Sequence, residues 1–167
     1  MTFDIAKKFI DMILSYKDDN DCSYINFNNT KGIIIEFIGG EPLLEIDLID
    51  KITDYFINRL IEMHHPWINR YMISICSNGT EYFNNKVQKY FKKHKNHISF
   101  SITIDGNKEL HDACRKFPNG KGSYDIAMAA VNDWRSKGNY IGSKITLAPE
   151  NIRYTYEAIK SLIENGY

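Results

Sequence analysis

The feature that most constrains the fold is a β-forming run at residues 33–38, which passes directly into a Gly-Gly-Glu-Pro turn at residues 39–42. Apart from Glu36, every residue of the run is isoleucine or phenylalanine. This is typical of a strand in a parallel sheet that is buried on both faces. The glycines permit positive φ and leave the backbone open to a ligand, and the proline ends the strand. The turn alone leaves two interpretations open: a ligand site, or a tight turn whose glycines are only steric.

Apolar periodicity predicts alternating helices and strands along the chain. A helix at 3–16 would pack through a stripe formed by Ile5, Phe9, Met12, Ile13 and Tyr16. A polar loop at 17–30, with a short extended piece at 24–27, would lead to the strand at 33–38. The later predicted elements are a helix at 46–63, a strand at 71–76, a helix capped by Thr80, a strand at 98–104, an irregular stretch at 107–122, a helix at 123–137, a strand at 140–147 and a helix at 152–165. This order predicts one α/β domain over 1–167 with a parallel sheet, either doubly wound or part of a (β/α) barrel.

Polar or backbone-permissive residues mark the C-terminal end of each predicted strand, at the edge where parallel α/β folds bind ligands. The four strand ends are Gly39-Gly40-Glu41, Ser77-Asn78-Gly79, Asp105-Gly106 and Thr146. At the first of them, a carboxylate beside bare backbone suits a small ligand that carries an amino group. At the third, Asp105 could serve a substrate or cap the turn that follows it, and we favour the cap.

Composition excludes several classes of protein. The chain has 167 residues with 21 basic and 21 acidic side chains, so its zero net charge argues against a nucleic-acid or anionic-membrane surface. The lysines between 86 and 95 are accordingly interpreted as the solvated face of a helix. No window approaches the ~20 apolar residues of a membrane span, and residues 1–20 lack a signal-peptide pattern, so we expect a cytoplasmic protein. Cys22, Cys76 and Cys114 have no metal-ligand spacing; we expect small buried side chains and no metal site.

The motifs taken together resemble those of radical S-adenosylmethionine (radical SAM) enzymes. The turn Gly39-Gly40-Glu41-Pro42 looks like the GGEP motif of that family, and Ser77-Asn78-Gly79-Thr80 resembles the next strand-end motif. The stretch from Thr103 to Arg115 resembles one found in the peptide- and protein-modifying branch, which includes sulfatase maturases and peptide maturases with SPASM-type domains. Gly122-Ser123-Tyr124 and Asn151 fit the motifs that follow. The resemblance covers roughly residues 33–166.

The resemblance implies a set of cofactor-binding residues. Gly39, Gly40 and Glu41 would meet the methionyl amino group of S-adenosylmethionine, and Ser77 and Asn78 would line the pocket. Thr103, which replaces the usual serine, and Arg115 would approach the methionyl carboxylate, as a hydroxyl and a guanidinium can. The remaining candidates in the same motifs are Pro42, Asp105 and Asn151.

One departure from the family is large. The CxxxCxxC loop that holds a 4Fe-4S cluster is absent from the chain. The resemblance therefore implies a fragment of a TIM-barrel-like radical SAM core that lacks the cluster loop and the C-terminal region. At full length the enzyme would use the cluster and S-adenosylmethionine to form a 5′-deoxyadenosyl radical and modify a peptide or protein, whereas this chain alone would be inactive. A non-catalytic α/β nucleotide-binding module and a regulatory module without a cluster stay open as alternatives. A partial barrel exposes two sheet edges, so we also expect self-association.

Overall fold

A computed structural model describes residues 1–16 and 31–167. The predicted loop at 17–30, its extended piece and Cys22 lie outside the described residues. Within the described part, helices and strands alternate. They are α1 (Phe3–Ser15), β1 (Ile33–Phe37), α2 (Ile46–Glu62), β2 (Tyr71–Ser77), α3 (Asn85–Lys93), β3 (Ile98–Thr103), α4 (Lys108–Cys114), α5 (Tyr124–Ser136), β4 (Gly142–Lys144) and α6 (Thr155–Glu164), with short 3-10 helices at Pro42–Glu45 and Ile152–Tyr154.

The four strands form one parallel sheet in the order β1-β2-β3-β4. At least one helix lies between each strand and the next, because parallel neighbours need a crossover connection. The prediction of an α/β fold with a parallel sheet and alternating helices is therefore confirmed. None of the helices formed by residues 1–16 and 31–167 is long and apolar enough to cross a lipid bilayer.

The helices α1, α2, α3, α5 and α6 pack on one face of the sheet. The core joins alternate strand residues, such as Ile75 and Phe100, to apolar side chains of α2, α3, α5 and α6. A second cluster joins α1 and α2 to Ile33 and the same face of β1. A doubly wound sheet has helices on both faces, whereas a barrel has them on the outside only. Of the two predicted architectures, the structure therefore has the wall of a (β/α) barrel.

The inner face of this wall has no helix over it within the described residues. Ile34 is 69% exposed and Ile38 is 62% exposed, although Ile33, Ile35 and Phe37 pack against helices. The prediction that this strand is buried on both faces is therefore wrong. Composition alone cannot show that β1 is an edge strand of a partial barrel.

The predicted packing stripe of α1 is wrong at Ile5, Phe9 and Met12, although Ile13 packs against the helix cluster as predicted. Ile5, Phe9 and Met12 are exposed, with Phe9 at 58%. The buried residues lie one position further along the chain, at Ala6, Ile10 and Leu14. Since the helix carries apolar side chains on more than one face, its periodicity did not identify the face that meets α2.

Other boundaries differ from the sequence predictions. The stretch 107–122 contains α4, which the side chain of Asn107 caps by accepting from the Leu110 N–H (2.9 Å). The cap of α3 is Asn84 and not Thr80. The last strand has three residues instead of eight. Cys114 is exposed at the end of α4, so the expectation of a buried thiol fails there.

We expect the chain to self-associate through β1 and α1. Within the described residues β1 pairs only with β2, so one of its edges presents unpaired backbone groups beside the exposed side chains of α1. Sedimentation at micromolar concentration should show a dimer or higher oligomer. An Ile5→Lys/Phe9→Lys double variant should weaken association by more than about tenfold, because it removes apolar area from the contact.

Ile61→Lys is the matched control, since Ile61 is an exposed apolar residue that belongs to α2 and not to α1 or β1. It should leave the association unchanged. A monomeric parent chain, or equal weakening by both variants, would contradict this prediction.

Candidate functional site

The carboxylate of Glu41 joins the ends of β1 and β2. Its Oε1 accepts hydrogen bonds from the Leu43 N–H (3.1 Å) and the Ser77 hydroxyl (2.7 Å), and its Oε2 accepts from the Asn78 N–H (2.7 Å). Glu41 thereby also caps the 3-10 helix that begins at Pro42. The structure thus brings Glu41, Ser77 and Asn78 together, as their motifs predicted, through direct contacts that the sequence did not specify.

The backbone of Gly39 and Gly40 is bare and exposed beside this carboxylate. A Cβ added to either residue would meet no atom within 4 Å. Gly39 has φ +146°, which favours glycine, but Gly40 has neither a positive φ nor a crowded neighbour. The purely steric interpretation of the turn therefore has no support at Gly40. A cleft of about 420 Å³ lies here, with both glycines, Glu41 and Pro42 in its lining.

The turn that follows β2 is held by its own side chains. The Ser77 hydroxyl accepts from the Gly79 N–H (2.9 Å), and Oδ1 of Asn78 accepts from the N–H (2.9 Å) and the hydroxyl (2.8 Å) of Thr80. Gly79 has φ +80°, and a Cβ there would lie 3.1 Å from Ile102. The turn is therefore pre-formed.

Asp105 joins the ends of β3 and β4 as Glu41 joins those of β1 and β2. Its side chain is only 3% exposed, forms an ion pair with Nε of Arg115 and accepts from the Thr146 N–H (2.8 Å). Nη2 of Arg115 donates to the Thr146 hydroxyl (3.0 Å). The favoured interpretation of Asp105 as a cap for the following turn is wrong, because Asn107 caps α4 and the Asp105 carboxylate is paired with Arg115, which directly follows that helix.

Two further candidate residues lie at the same edge of the sheet. Asn151 holds the end of β4, with Nδ2 donating to the Thr146 carbonyl (3.1 Å) and Oδ1 accepting from the Ala148 N–H (2.7 Å). Thr103 is almost buried on β3, with its hydroxyl 3.9 Å from Sγ of Cys76 on β2. No hydrogen bond among the described residues joins the Glu41 group to the Asp105 group. The two groups do share a cleft of about 320 Å³, which Asn78 and Arg115 both line.

His111 organises the Arg115 loop, a role that sequence reasoning missed. Its fully buried ring accepts at Nδ1 from the Asp105 N–H (3.3 Å), so Nε2 carries the proton and donates to the Ser123 hydroxyl (3.0 Å). That hydroxyl in turn donates to the carbonyl of Arg115 (3.1 Å). Burial lowers the pKa of His111 below its usual range, which keeps the ring neutral. The available signal was the spacing of His111 and Arg115, four residues apart.

Gly122 is required beside this network. A Cβ at Gly122 would lie 1.9 Å from Cγ of Asp112, so only glycine fits. The space it leaves admits the Asp112 carboxylate, which accepts from the Tyr124 N–H (2.8 Å) and pairs with Lys108 (3.1 Å). Asp112 therefore anchors the start of α5 to α4.

Within residues 1–16 and 31–167, one group of side chains has the spacing to hold a metal ion: Asp50, Asp54 and His94. The ammonium of Lys93 lies 2.8 Å from Asp50 and 2.6 Å from Asp54. Burial pushes the pKa of Asp50 up, but its hydrogen bonds from Lys93 and His94 outweigh this and lower it overall. A cation of the protein already compensates this cluster.

The chain is similar to known proteins. An uncharacterised protein of Methanocaldococcus jannaschii is 31% identical over 166 residues, which are 99% of this chain and 50% of that protein. A cysteine-type anaerobic sulfatase-maturating enzyme of Clostridium novyi is 38% identical over 96 residues, which are 57% of this chain and 24% of that enzyme. The chain thus spans half the length of the first relative and a quarter of the second. No protein-family model matches it.

Solved structures show the same fold. Native anSMEcpe with bound AdoMet and Kp18Cys peptide gives a TM-score of 0.70 at 18% identity, over 99% of this chain and 40% of that one. Native anSMEcpe with bound AdoMet alone gives the same TM-score of 0.70 at 18% identity, over the same shares of the two chains. The four-stranded parallel sheet and its alternating helices thus match part of the fold of anSMEcpe.

We expect Asp105→Asn to destabilise the protein by about 1–3 kcal/mol. An amide can still accept from the Thr146 N–H but cannot balance the charge of Arg115. Urea unfolding measures the loss. Asp125→Asn is the control, because Asp125 is an exposed carboxylate paired with Lys108, and it should cost less than about 0.5 kcal/mol. Equal losses in the two variants would contradict the role given to Asp105.

We also expect stability to fall as the pH drops below about 6.5. The folded pKa of His111 lies below its ordinary value, so the unfolded chain binds a proton that the folded chain does not. Stability is therefore complete above the unfolded pKa and is lost below it, by up to about 1.4 kcal/mol per pH unit. Burial lowers the pKa of His65 as well, which adds to the effect.

Unfolding free energies between pH 5 and pH 7.5 test the part due to His111. His111→Gln should lower stability and reduce the dependence on pH. Ser123→Ala should lower stability but keep the pH dependence, because the ring remains. An unchanged pH dependence in His111→Gln would show that the ring does not titrate as inferred.

Proposed function

We propose that this chain is part of the core of a radical SAM enzyme, in the branch that includes the sulfatase maturases. The complete enzyme would use a 4Fe-4S cluster to cleave S-adenosylmethionine, and the 5′-deoxyadenosyl radical would abstract hydrogen from a peptide or protein. The observation that carries the proposal is the bare, sterically free backbone at Gly39 and Gly40 beside the Glu41 carboxylate, at the strand-end edge of a barrel wall.

The residues at this edge fit the methionyl group of S-adenosylmethionine. Oε2 of Glu41 accepts one hydrogen bond within the described residues and can accept another from an ammonium group, beside the open backbone of Gly39 and Gly40. For the carboxylate, Arg115 uses Nε and Nη2 in the protein, and its Nη1 remains to donate to a ligand alongside the Thr103 hydroxyl. Bound AdoMet in anSMEcpe, which shares the fold, supports the same ligand here.

The cluster itself does not fit the cysteines of this chain. Cys76 lies on β2 and Cys114 ends α4, and neither belongs to a CxxxCxxC motif. In the proposal the ligands of the cluster come from the rest of a longer polypeptide, consistent with relatives about twice the length of this chain or more. A peptide partner is supported by the peptide bound to anSMEcpe.

The 167-residue chain should bind S-adenosylmethionine weakly, with a dissociation constant of about 1 mM or more, because the contacts of a cluster iron are missing. An NMR titration should move the amide signals of Gly39, Gly40 and Thr103. Gly40→Val should abolish binding without loss of stability, since its Cβ meets open space in the free protein. Thr103→Val should weaken binding severalfold, because it removes only the hydroxyl.

Two results would count against the proposal. One is that no amide signal shifts at a ligand concentration ten times the expected dissociation constant of ~1 mM, and the other is that the shifted signals belong to residues away from this edge. Binding that survives Gly40→Val would remove the turn from the site. Micromolar affinity would favour a binding module that is complete without the cluster.

A further inference from the structure

An ion pair spans the inner face of the barrel wall. Nζ of Lys144, the last residue of β4, lies 3.5 Å from Oε1 of Glu36 in β1. Two strands separate β1 from β4, which in a flat sheet puts the outer strands about 14 Å apart. The strand register places both side chains on the same face, since Glu36 aligns with Ser74 and Ser99, and Lys144 with Thr103 four residues further along β3. This is the inner, concave face of the wall.

Small residues form the floor beneath this pair. Glu36 is in register with Ser74 on β2. Cys76, Ser101 and Gly142 are in register with one another on β2, β3 and β4. None of them has a long side chain that would fill the concave face beneath the ion pair.

Lys144 is the cation at this edge that a ligand can recruit most easily. Its side chain is 54% exposed and that of Glu36 is 46% exposed, and such long, exposed pairs contribute little to stability. Arg115, by contrast, is held by Asp105 and Thr146. Lys144 also ends its strand in register with Thr103, at the edge where (β/α) barrels place substrate-binding residues.

We infer that Lys144 selects a peptide segment that carries a carboxylate. Glu36 holds the ammonium while the face is empty, and the acidic side chain of the peptide replaces Glu36 when it binds. The identity of the ligand as a peptide rests on the proposed function. The choice of an acidic segment rests on the exchangeable pair and on the position of the lysine at the mouth of the concave face.

Two short peptides test the inference on the 167-residue chain: acetyl-Gly-Gly-Glu-Gly-Gly-amide and its counterpart with Gln in place of Glu. NMR titrations at low salt should show at least about threefold tighter binding of the Glu peptide, the size expected of one exposed charge contact. Lys144→Gln should remove this preference. Glu36→Gln should enlarge it, because the competing carboxylate is gone.

Lys160→Gln is the matched control, since Lys160 pairs with Glu164 at comparable exposure on α6; it should keep the preference. The inference is overturned if the preference survives Lys144→Gln, if neither peptide binds, or if Lys144→Gln weakens S-adenosylmethionine binding and leaves the peptides unaffected. If S-adenosylmethionine fails to bind but the preference still depends on Lys144, the proposed cofactor is wrong and this inference stands.

Discussion

The buried carboxylate of Asp105 is the contact on which the second half of the candidate site depends. It neutralises Arg115, takes the Thr146 N–H and so fixes the start of the loop after β4. The backbone of the same residue orients His111, and through Ser123 the network returns to the carbonyl of Arg115. Arg115 is therefore restrained at both its main chain and its side chain. A guanidinium restrained in this way loses little conformational entropy when it binds an anion.

Glu41 has the corresponding role in the first half of the site. Both acids follow a strand, and both accept a backbone N–H from the end of the next strand. Each thus couples two neighbouring strand ends that the sheet hydrogen bonds do not reach. The two halves leave different hydrogen-bonding groups available to a ligand. Near Glu41 these are a carboxylate lone pair and the bare backbone, and near Asp105 there is one nitrogen of the Arg115 guanidinium. That difference matches a ligand with an ammonium group at one end and a carboxylate at the other.

Sequence was sufficient where local chemistry determines structure. Isoleucine-rich runs identified the strands, and glycine, proline and polar residues identified the strand ends that meet at one edge. It failed where the outcome depends on distant partners. Ile34 is as apolar as a core residue, but it lies on an uncovered face of the sheet. Asp105 stands where a capping residue is expected, but its carboxylate forms an ion pair with Arg115. The short helix α4 has too few residues to show a periodic pattern, and the four-residue spacing of His111 and Arg115 does not by itself show that the ring is buried.

The strands differ in length, so neighbouring strands are held together by different numbers of aligned residue pairs. β2 and β3 are aligned over five residue pairs, whereas β3 and β4 are aligned over three. Since β4 has the fewest aligned residues of the four strands, we expect it to open more readily than the others, together with the helix that follows it. Because Thr146 comes directly after β4, that opening would also take away one of the partners of Arg115. Occupation of the site and closure of the last βα unit are thus thermodynamically coupled, and we expect an anion held by Arg115 to slow hydrogen exchange in β4.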